Sequence, residues 1–285
     1  MDHISRLGVV GCGLMGSGIA EVAARRGLDV LVTETTDEAA TAGRTRVTAS
    51  LDRALRRAKL TEDERDHALS RLTFTADLDA LADRQIVIEA AAEHRDLKTD
   101  LFTRLDKTVT DPHAILATNT SSIPVIDVAT ATTRPEQVIG LHFFNPVPVQ
   151  PLVEIIPALT TSTDTLTTAH RFATEQLGKQ TVQAPDRSGF VVNALLVPYL
   201  LAAVRMVESA TATPDDIDHG MELGCAHPMG PLRLLDLIGL DTAQAIAESL
   251  YAEYKEPLYA PPPLLRRMVA AGRLGRKSGQ GFHSY

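Results

Sequence analysis

The stretch Arg6-Leu-Gly-Val-Val-Gly11-Cys-Gly13-Leu14-Met15-Gly16 decides the fold. Its first half is a short apolar run of the kind that forms a buried strand. The run enters glycines spaced G-x-G-x-x-G, and residues 14–26 then read as a helix ended by Gly27. Asp29-Val-Leu-Val-Thr-Glu34 reads as a second strand. Strands joined through a helix in this way run parallel. In such a unit Gly11 permits the tight turn and Gly13 lets the backbone approach a pyrophosphate. Gly16 lets the helix pack close to the strand. The helix start at Leu14 and Met15 offers N–H groups and partial positive charge to phosphates. Glu34 lies 18 residues beyond Gly16. A carboxylate there accepts hydrogen bonds from ribose hydroxyls and repels a 2′-phosphate, which favours NAD over NADP. A glycine turn without a ligand is the bland alternative; the strand–loop–helix setting and Glu34 speak against it. Cys12 reads as a small filler of the loop rather than a reactive thiol.

Outward from this unit, residues 39–59 and 62–70 read as helices. Thr61 and Glu64 form a capping box for the second. Strands are expected at 85–90, 114–118, 138–144, 152–156 and 181–184, with helices at 95–107 and 166–177. The segment 145–151 holds three prolines, which exclude helix and central strand. After residue 186 the pattern changes to helix and loop alone. Helices are expected at 191–209, 214–223, 232–237, 242–254 and 264–271. The reading is an α/β Rossmann-type domain over 1–186, with a doubly wound, mainly parallel sheet. An all-α domain over 187–285 follows.

Composition bounds the function. The chain has 285 residues and a net charge of −8, which excludes a general nucleic-acid binder. An anionic ligand must then be held by backbone N–H groups or a local basic patch. Two cysteines, Cys12 and Cys225, exclude a disulfide framework. The apolar run 190–204 contains Asn193 and Pro198 and falls short of the roughly 20 residues that cross a bilayer. Met1-Asp2-His3-Ile4 lacks the features of a signal peptide, so a cytoplasmic protein without membrane association is expected. His and Cys show no metal-ligand spacing, and no metal is expected.

Two further stretches are polar where buried strands normally stay apolar. They are Asn119-Thr-Ser121-Ser122 and His142-Phe-Phe-Asn145-Pro146, each at the C-terminal end of an expected strand. Ligands of open α/β sheets bind at that edge. Glu154 follows His142 by 12 residues. If the two strands pair, its carboxylate reaches the imidazole, the arrangement a general base requires. The bland readings are a satisfied core histidine, an edge-strand charge, and a Ser121 that is a helix N-cap before Ile123.

These segments resemble the 3-hydroxyacyl-CoA dehydrogenases, and the short bacterial 3-hydroxybutyryl-CoA dehydrogenases most. The glycine loop, Asn119–Ser122, Gly140–Pro148, Leu152-Val-Glu154, Ser188–Asn193, His227–Pro231 and Lys277–Phe282 occur in that order, across residues 5–285. The resemblance implies reversible, NAD-dependent oxidation of (S)-3-hydroxybutyryl-CoA to acetoacetyl-CoA. It makes His142 the base, Glu154 its orienting partner, and Ser121 and Asn193 the groups beside the reacting oxygen. It places Glu93, Lys98, Asn119 and Asn145 near the cofactor; an ordinary exposed ion pair is the plain alternative for Glu93 and Lys98. It implies a homodimer formed by the helical domain.

For the CoA tail, Arg46, Ser50, Arg53 and Arg57 fall at i, i+4, i+7 and i+11, one basic face of a helix. Val47, Leu51, Ala54, Leu55 and Ala58 would pack on the domain. The resemblance sets Ser50 and Arg57, or the adjacent Arg56, against CoA, and the helical spacing adds Arg53. A solvated basic stripe is the plain alternative. His227 reads as a structural loop residue. Other functions stay open: a dehydrogenase of acyl-carrier-protein thioesters or another hydroxy acid, or a structural relative with little turnover. Residues 191–204 contain no lysine, which disfavours the branch of this plan that uses a lysine base.

Overall fold

In a computed structural model, which describes residues 3–285, the chain forms two compact units, Met1–Asp186 and Arg187–Tyr285. The first is built on one eight-stranded sheet. Its strands are β1 (Arg6–Val10), β2 (Asp29–Thr33), β3 (Leu72–Thr75), β4 (Ile86–Glu89), β5 (Ile115–Thr118), β6 (Val138–Phe143), β7 (Leu152–Pro157) and β8 (Gln180–Gln183). They lie in the order β3-β2-β1-β4-β5-β6-β7-β8. β1 to β6 run parallel, β7 runs antiparallel to β6, and β8 is parallel to β7. The winding reverses between β1 and β4, the switch point where such sheets take a dinucleotide.

Helices cover both faces, so the central strands are continuous buried runs; every residue of β4 and β6 is buried. α1 (Leu14–Arg25), α2 (Asp37–Arg56) and α3 (Glu62–Ser70) pack on one face. There Val9, Ile88, Ile139 and Leu141 meet Ile19, Val47 and Leu51. α4 (Arg95–Thr108) and α5 (Val125–Ala129) pack beside each other. A Cβ on Gly140 would stand 2.9 Å from Val125 of α5, so that helix lies on the opposite face. α6 (Thr163–Arg171) returns to the first face. The Thr61–Glu64 capping box is formed, worth about 1 kcal/mol to α3.

β3 and α5 were not expected. They are four and five residues long, too short for periodicity to register. Tertiary partners hold them: β3 pairs with β2, and Asp186 accepts from Val125 N at 2.7 Å and Ile126 N at 2.8 Å. α6 starts earlier than its apolar pattern, because Ser162 caps it by accepting from Thr165 N at 3.1 Å. Beyond Arg171 the helix widens into a π-helical turn through Gln176. Ala58 does not pack on the domain: α2 has ended, and Ala58 is exposed at φ +52°.

The second unit contains α7 (Val192–Glu208), α8 (Pro214–Cys225), α9 (Pro231–Ile238), α10 (Leu240–Tyr254) and α11 (Pro263–Ala270). Its core joins Val197, Leu201, Val204, Leu232, Leu235 and Leu250. Two fully buried carboxylates organise it. Asp218 accepts from Leu232 N at 2.8 Å, and Asp236 accepts from Phe282 N and His283 N, both at 2.9 Å. The apolar segment 191–204 is buried on one side only. Val191, Leu195, Pro198, Ala202 and Met206 share the other face at helical spacing, and Leu195 is 74% exposed. Among the described residues no helix is long and apolar enough to cross a membrane, and no cluster of His, Cys, Asp or Glu could hold a metal ion.

Gly16 is the tightest point of the glycine loop, since a Cβ there would stand 1.8 Å from the Gly11 carbonyl oxygen. Gly16→Ala must push α1 away from β1. We expect a fall in melting temperature together with loss of NADH binding, read by thermal unfolding and by NADH fluorescence titration; unchanged values in both would contradict this packing.

Candidate active site

The polar residues of the first unit collect at one edge of the sheet. Glu34 follows β2, Glu89 ends β4, Thr118 ends β5 and His142 lies one residue before the end of β6. Because β7 runs back along β6, Glu154 near its start returns to the same edge.

At the β1 end, Gly13 caps α1, and among the described residues no side chain fills that role. The first turn of α1 carries no acidic residue. A Cβ on Gly13 would meet nothing within 4 Å, so the backbone is open to a close ligand. Free N–H groups and open space suit a pyrophosphate. Leu14 is exposed and Met15 half-buried at this mouth. Glu34 accepts from Cys12 N at 2.5 Å, which anchors its carboxylate to the loop. Burial pushes the Cys12 thiol up to about 12, so it is an inert filler.

The register of β6 and β7 puts His142 directly opposite Glu154. His142 Nδ1 lies 2.7 Å from a Glu154 carboxylate oxygen, and Glu154 is fully buried. The imidazole meets the ring of Phe144 edge-on at 4.7 Å.

The segment 119–122 is held from below. Glu93 accepts from Thr120 Oγ1 at 2.6 Å, Ser121 N at 2.9 Å, Ser122 N at 3.1 Å and Ser122 Oγ at 3.0 Å. Ser121 Oγ lies 3.3 Å from the same oxygen. Burial pushes the Glu93 carboxyl up, but Lys98 and these hydrogen bonds outweigh it and hold it below the usual carboxylate range. Lys98 is buried rather than surface-paired. Its Nζ lies 2.5 Å from Glu89 and 3.3 Å from Glu93. Glu89 also accepts from Thr118 Oγ1 and Ala91 N, both at 2.7 Å. Thr120, not Ser121, caps the turn, accepting from Ile123 N at 2.9 Å. Asn119 Oδ1 accepts from Phe143 N at 2.9 Å and so stitches this segment to β6. Asn145 is exposed just beyond.

The sequence reading missed Glu89, although a Glu ending an apolar strand is the signal that had singled out His142. It also missed Lys179. That buried ammonium donates to Val147 O at 2.6 Å and Gln150 O at 2.7 Å, fixing the proline-rich loop.

The helical basic face is only partly realised. Arg53 and Arg57 are exposed on or just beyond the last turn of α2, as is Arg56. Ser50 is half-buried and hydrogen-bonds Glu21, a carboxylate of α1 that is 2% exposed. Arg46 leaves that face: its guanidinium donates to Cys12 O. Helical phase does not reveal this, because a long side chain reaches back over the neighbouring loop. In the second unit Asn193 is half-buried in the first turn of α7, and His227 Nδ1 lies 3.2 Å from Tyr199 Oη.

Fold and site together define a nicotinamide-dependent dehydrogenase. Residues 6–187 match the family model for the NAD binding domain of 3-hydroxyacyl-CoA dehydrogenase, and residues 189–285 match the model for its C-terminal domain. The chain belongs to the 3-hydroxyacyl-CoA dehydrogenase family. It is 58% identical to a 3-hydroxybutyryl-CoA dehydrogenase of Mycobacterium tuberculosis, over 100% of this chain and 99% of that one. The crystal structure of M. tuberculosis FadB2 superposes with a TM-score of 0.99 at 58% identity, covering 100% of both chains. That of (S)-3-hydroxybutyryl-CoA dehydrogenase PaaH1 from Ralstonia eutropha gives 0.93 at 44% identity, covering 99% of each.

Glu21 generates a pH prediction. Burial raises its carboxyl above the ordinary value, offset only in part by Ser50, Arg25 and Arg53. The folded state therefore holds that proton more tightly than the unfolded state. Stability from this group is present below the ordinary carboxylate range and is lost as pH rises through the raised value. Glu21→Gln removes the penalty and keeps an acceptor for Ser50. We expect a higher urea midpoint than wild type at pH 8 and no gain near pH 4.

Proposed function

We propose that the chain catalyses the reversible oxidation of (S)-3-hydroxybutyryl-CoA to acetoacetyl-CoA with NAD. The single observation that carries the chemistry is the buried His142–Glu154 pair at 2.7 Å on the ligand-binding edge of the sheet. The chain length comes from the relatives' names and the family resemblance.

With Nδ1–H donated to Glu154, the neutral ring carries its lone pair on Nε2. That atom takes the proton of the 3-hydroxyl during oxidation. Glu154 fixes this tautomer and stabilises the imidazolium that results. NAD would supply the hydride acceptor, its nicotinamide C4, for the hydrogen on C3. In the reverse direction His142 returns its proton to the carbonyl oxygen. Ser121 donates a hydrogen bond to that oxygen, where negative charge builds as the carbonyl is reduced. The family resemblance assigns Asn193 to the same oxygen. The Glu93 clamp keeps the Ser121 backbone fixed while its hydroxyl exchanges partners. Gly11, Gly13, Leu14, Met15 and Gly16 would receive the pyrophosphate, Glu34 the adenosine ribose, and Glu93, Lys98, Asn119 and Asn145 would lie on the nicotinamide side. Ser50, Arg53 and Arg57 meet the CoA phosphates, for which guanidinium groups suit bidentate contact.

The test is consumption of NADH by purified protein with acetoacetyl-CoA, with NADPH in parallel. We expect NADH-dependent turnover, and a fall in kcat of about 10²- to 10⁴-fold in His142→Ala, the usual worth of a general base. A His142→Ala enzyme with wild-type kcat would remove the base assignment. A protein that binds NADH and leaves acetoacetyl-CoA untouched would remove the substrate.

We also propose a homodimer formed through the apolar stripe of α7. Leu195 sits at its centre, 74% exposed. Stripes of this kind mark protein interfaces. Light scattering is expected to give twice the chain mass for the wild type and the single-chain mass for Leu195→Glu. A wild-type monomer ends the proposal.

A further inference from the structure

The backbone of Cys12, between the first two glycines of the cofactor loop, is held on both sides. Its N–H donates to Glu34 Oε1 at 2.5 Å, and its carbonyl accepts from the Arg46 guanidinium. One turn before Arg46, Gly43 makes the approach of α2 possible. A Cβ on Gly43 would stand 2.7 Å from Cys12 Cβ and 2.9 Å from its sulfur. α2 thus docks on the glycine loop through a backbone contact at Gly43 and a charged bond at Arg46. Both Glu34 and Arg46 act electrostatically on the Cys12 thiol, so both charges stand at the same loop.

Arg46 is exposed, and among the described residues it pairs with no carboxylate. One of its five N–H donors is spent on Cys12. The remaining donors belong to a cation anchored on Cys12, the residue whose N–H binds Glu34 just after β2, where the fold receives the adenosine ribose. An arginine at that place is the usual partner of a 2′-phosphate, whereas an acidic residue is the usual partner of the free 2′-hydroxyl. This chain carries one of each, on the N–H and the carbonyl of a single residue.

We propose that Arg46 is a cofactor-specificity residue acting at the adenosine end of the dinucleotide, not a CoA contact, and that Glu34 alone keeps a 2′-phosphate from reaching it. With Glu34 ionised, an incoming 2′-phosphate meets a carboxylate, and repulsion cancels what Arg46 offers. NAD brings no such charge, and Arg46 serves it by holding the loop closed. The inference rests on the cofactor loop and is independent of which acyl-CoA the protein reduces.

Four proteins test it: wild type, Glu34→Gln, Arg46→Ala and the double variant. Gln keeps an oxygen for Cys12 N–H while removing the charge. NADH and NADPH dissociation constants are read by fluorescence titration, and KM for acetoacetyl-CoA by NADH consumption. Glu34→Gln is expected to tighten NADPH at least ten-fold, and the double variant to lose that gain. Arg46→Ala is expected to weaken NADH several-fold while KM for acetoacetyl-CoA stays within two-fold of wild type. Arg46→Lys keeps the cation, and paired with Glu34→Gln it should retain part of the NADPH gain if the alanine variants unfold. Two results would overturn the proposal. One is an NADPH gain that survives in the double variant. The other is an Arg46→Ala enzyme with normal NADH binding and a raised KM for acetoacetyl-CoA, which would return Arg46 to the CoA face.

Discussion

Glu154 is a carboxylate with no solvent exposure, and a charge taken that far from water costs several kcal/mol unless it is paired. Its position follows from the one reversal of strand direction within an otherwise parallel run. A parallel β7 would start at the far edge of the sheet, about 15–20 Å away for a strand of this length. Because β7 runs antiparallel to β6, the cross-strand neighbour of His142 is Glu154, and the two side chains emerge on one face. A one-residue slip would send Glu154 to the opposite face and leave it buried without a partner. The register is therefore enforced by the buried pair itself.

Around that pair, charge is arranged in a closed network rather than spread on the surface. Lys98 is 1% exposed and lies against Glu89 and Glu93. Two carboxylates beside one ammonium leave a negative excess, which Thr118, Thr120 and the N–H groups of Ala91, Ser121 and Ser122 absorb. Every donor comes from a segment adjoining the site. The network thus converts a desolvation cost into loop geometry, holding the backbone of Ser121 and Ser122 in one place.

The parts legible in the sequence were those whose cause is local. The glycine spacing, the capping box at Thr61 and the apolar runs of β4 and β6 each carry their own physical signature over a few residues. The His142–Glu154 pair was legible only on condition that two strands met, since the prolines of 145–151 forbid other structure without stating which way the chain returns. What stayed hidden depends on distant partners. Asp186 caps α5 from 60 residues along the chain, and Asp236 holds the backbone of Phe282 and His283 from 46 and 47 residues away. Arg46 shows the limit of periodicity: its helical phase is that of Ser50 and Arg53, yet the guanidinium is spent on Cys12. Phase fixes where a Cβ points, and four further bonds decide where an arginine ends.

The glycine loop and the His142–Glu154 pair are also joined mechanically within the first unit. A Cβ on Gly18, in the second turn of α1, would stand 2.8 Å from Val147 Cβ, so the cofactor helix packs directly on the loop that follows His142. Lys179 anchors the same loop through the carbonyls of Val147 and Gln150. Burial, with Arg26 and Arg25 nearby, lowers the ammonium from its ordinary value, and its two short hydrogen bonds answer that cost. Asn119 closes the circuit from the other side by accepting from Phe143 N. Hydride transfer with concerted proton transfer requires acceptor and base at fixed separation, where an error near 1 Å can cost about a hundred-fold in rate. In this chain the helix that follows the glycine loop packs directly on the loop that follows His142, and rigid packing transmits position without a mobile intermediary.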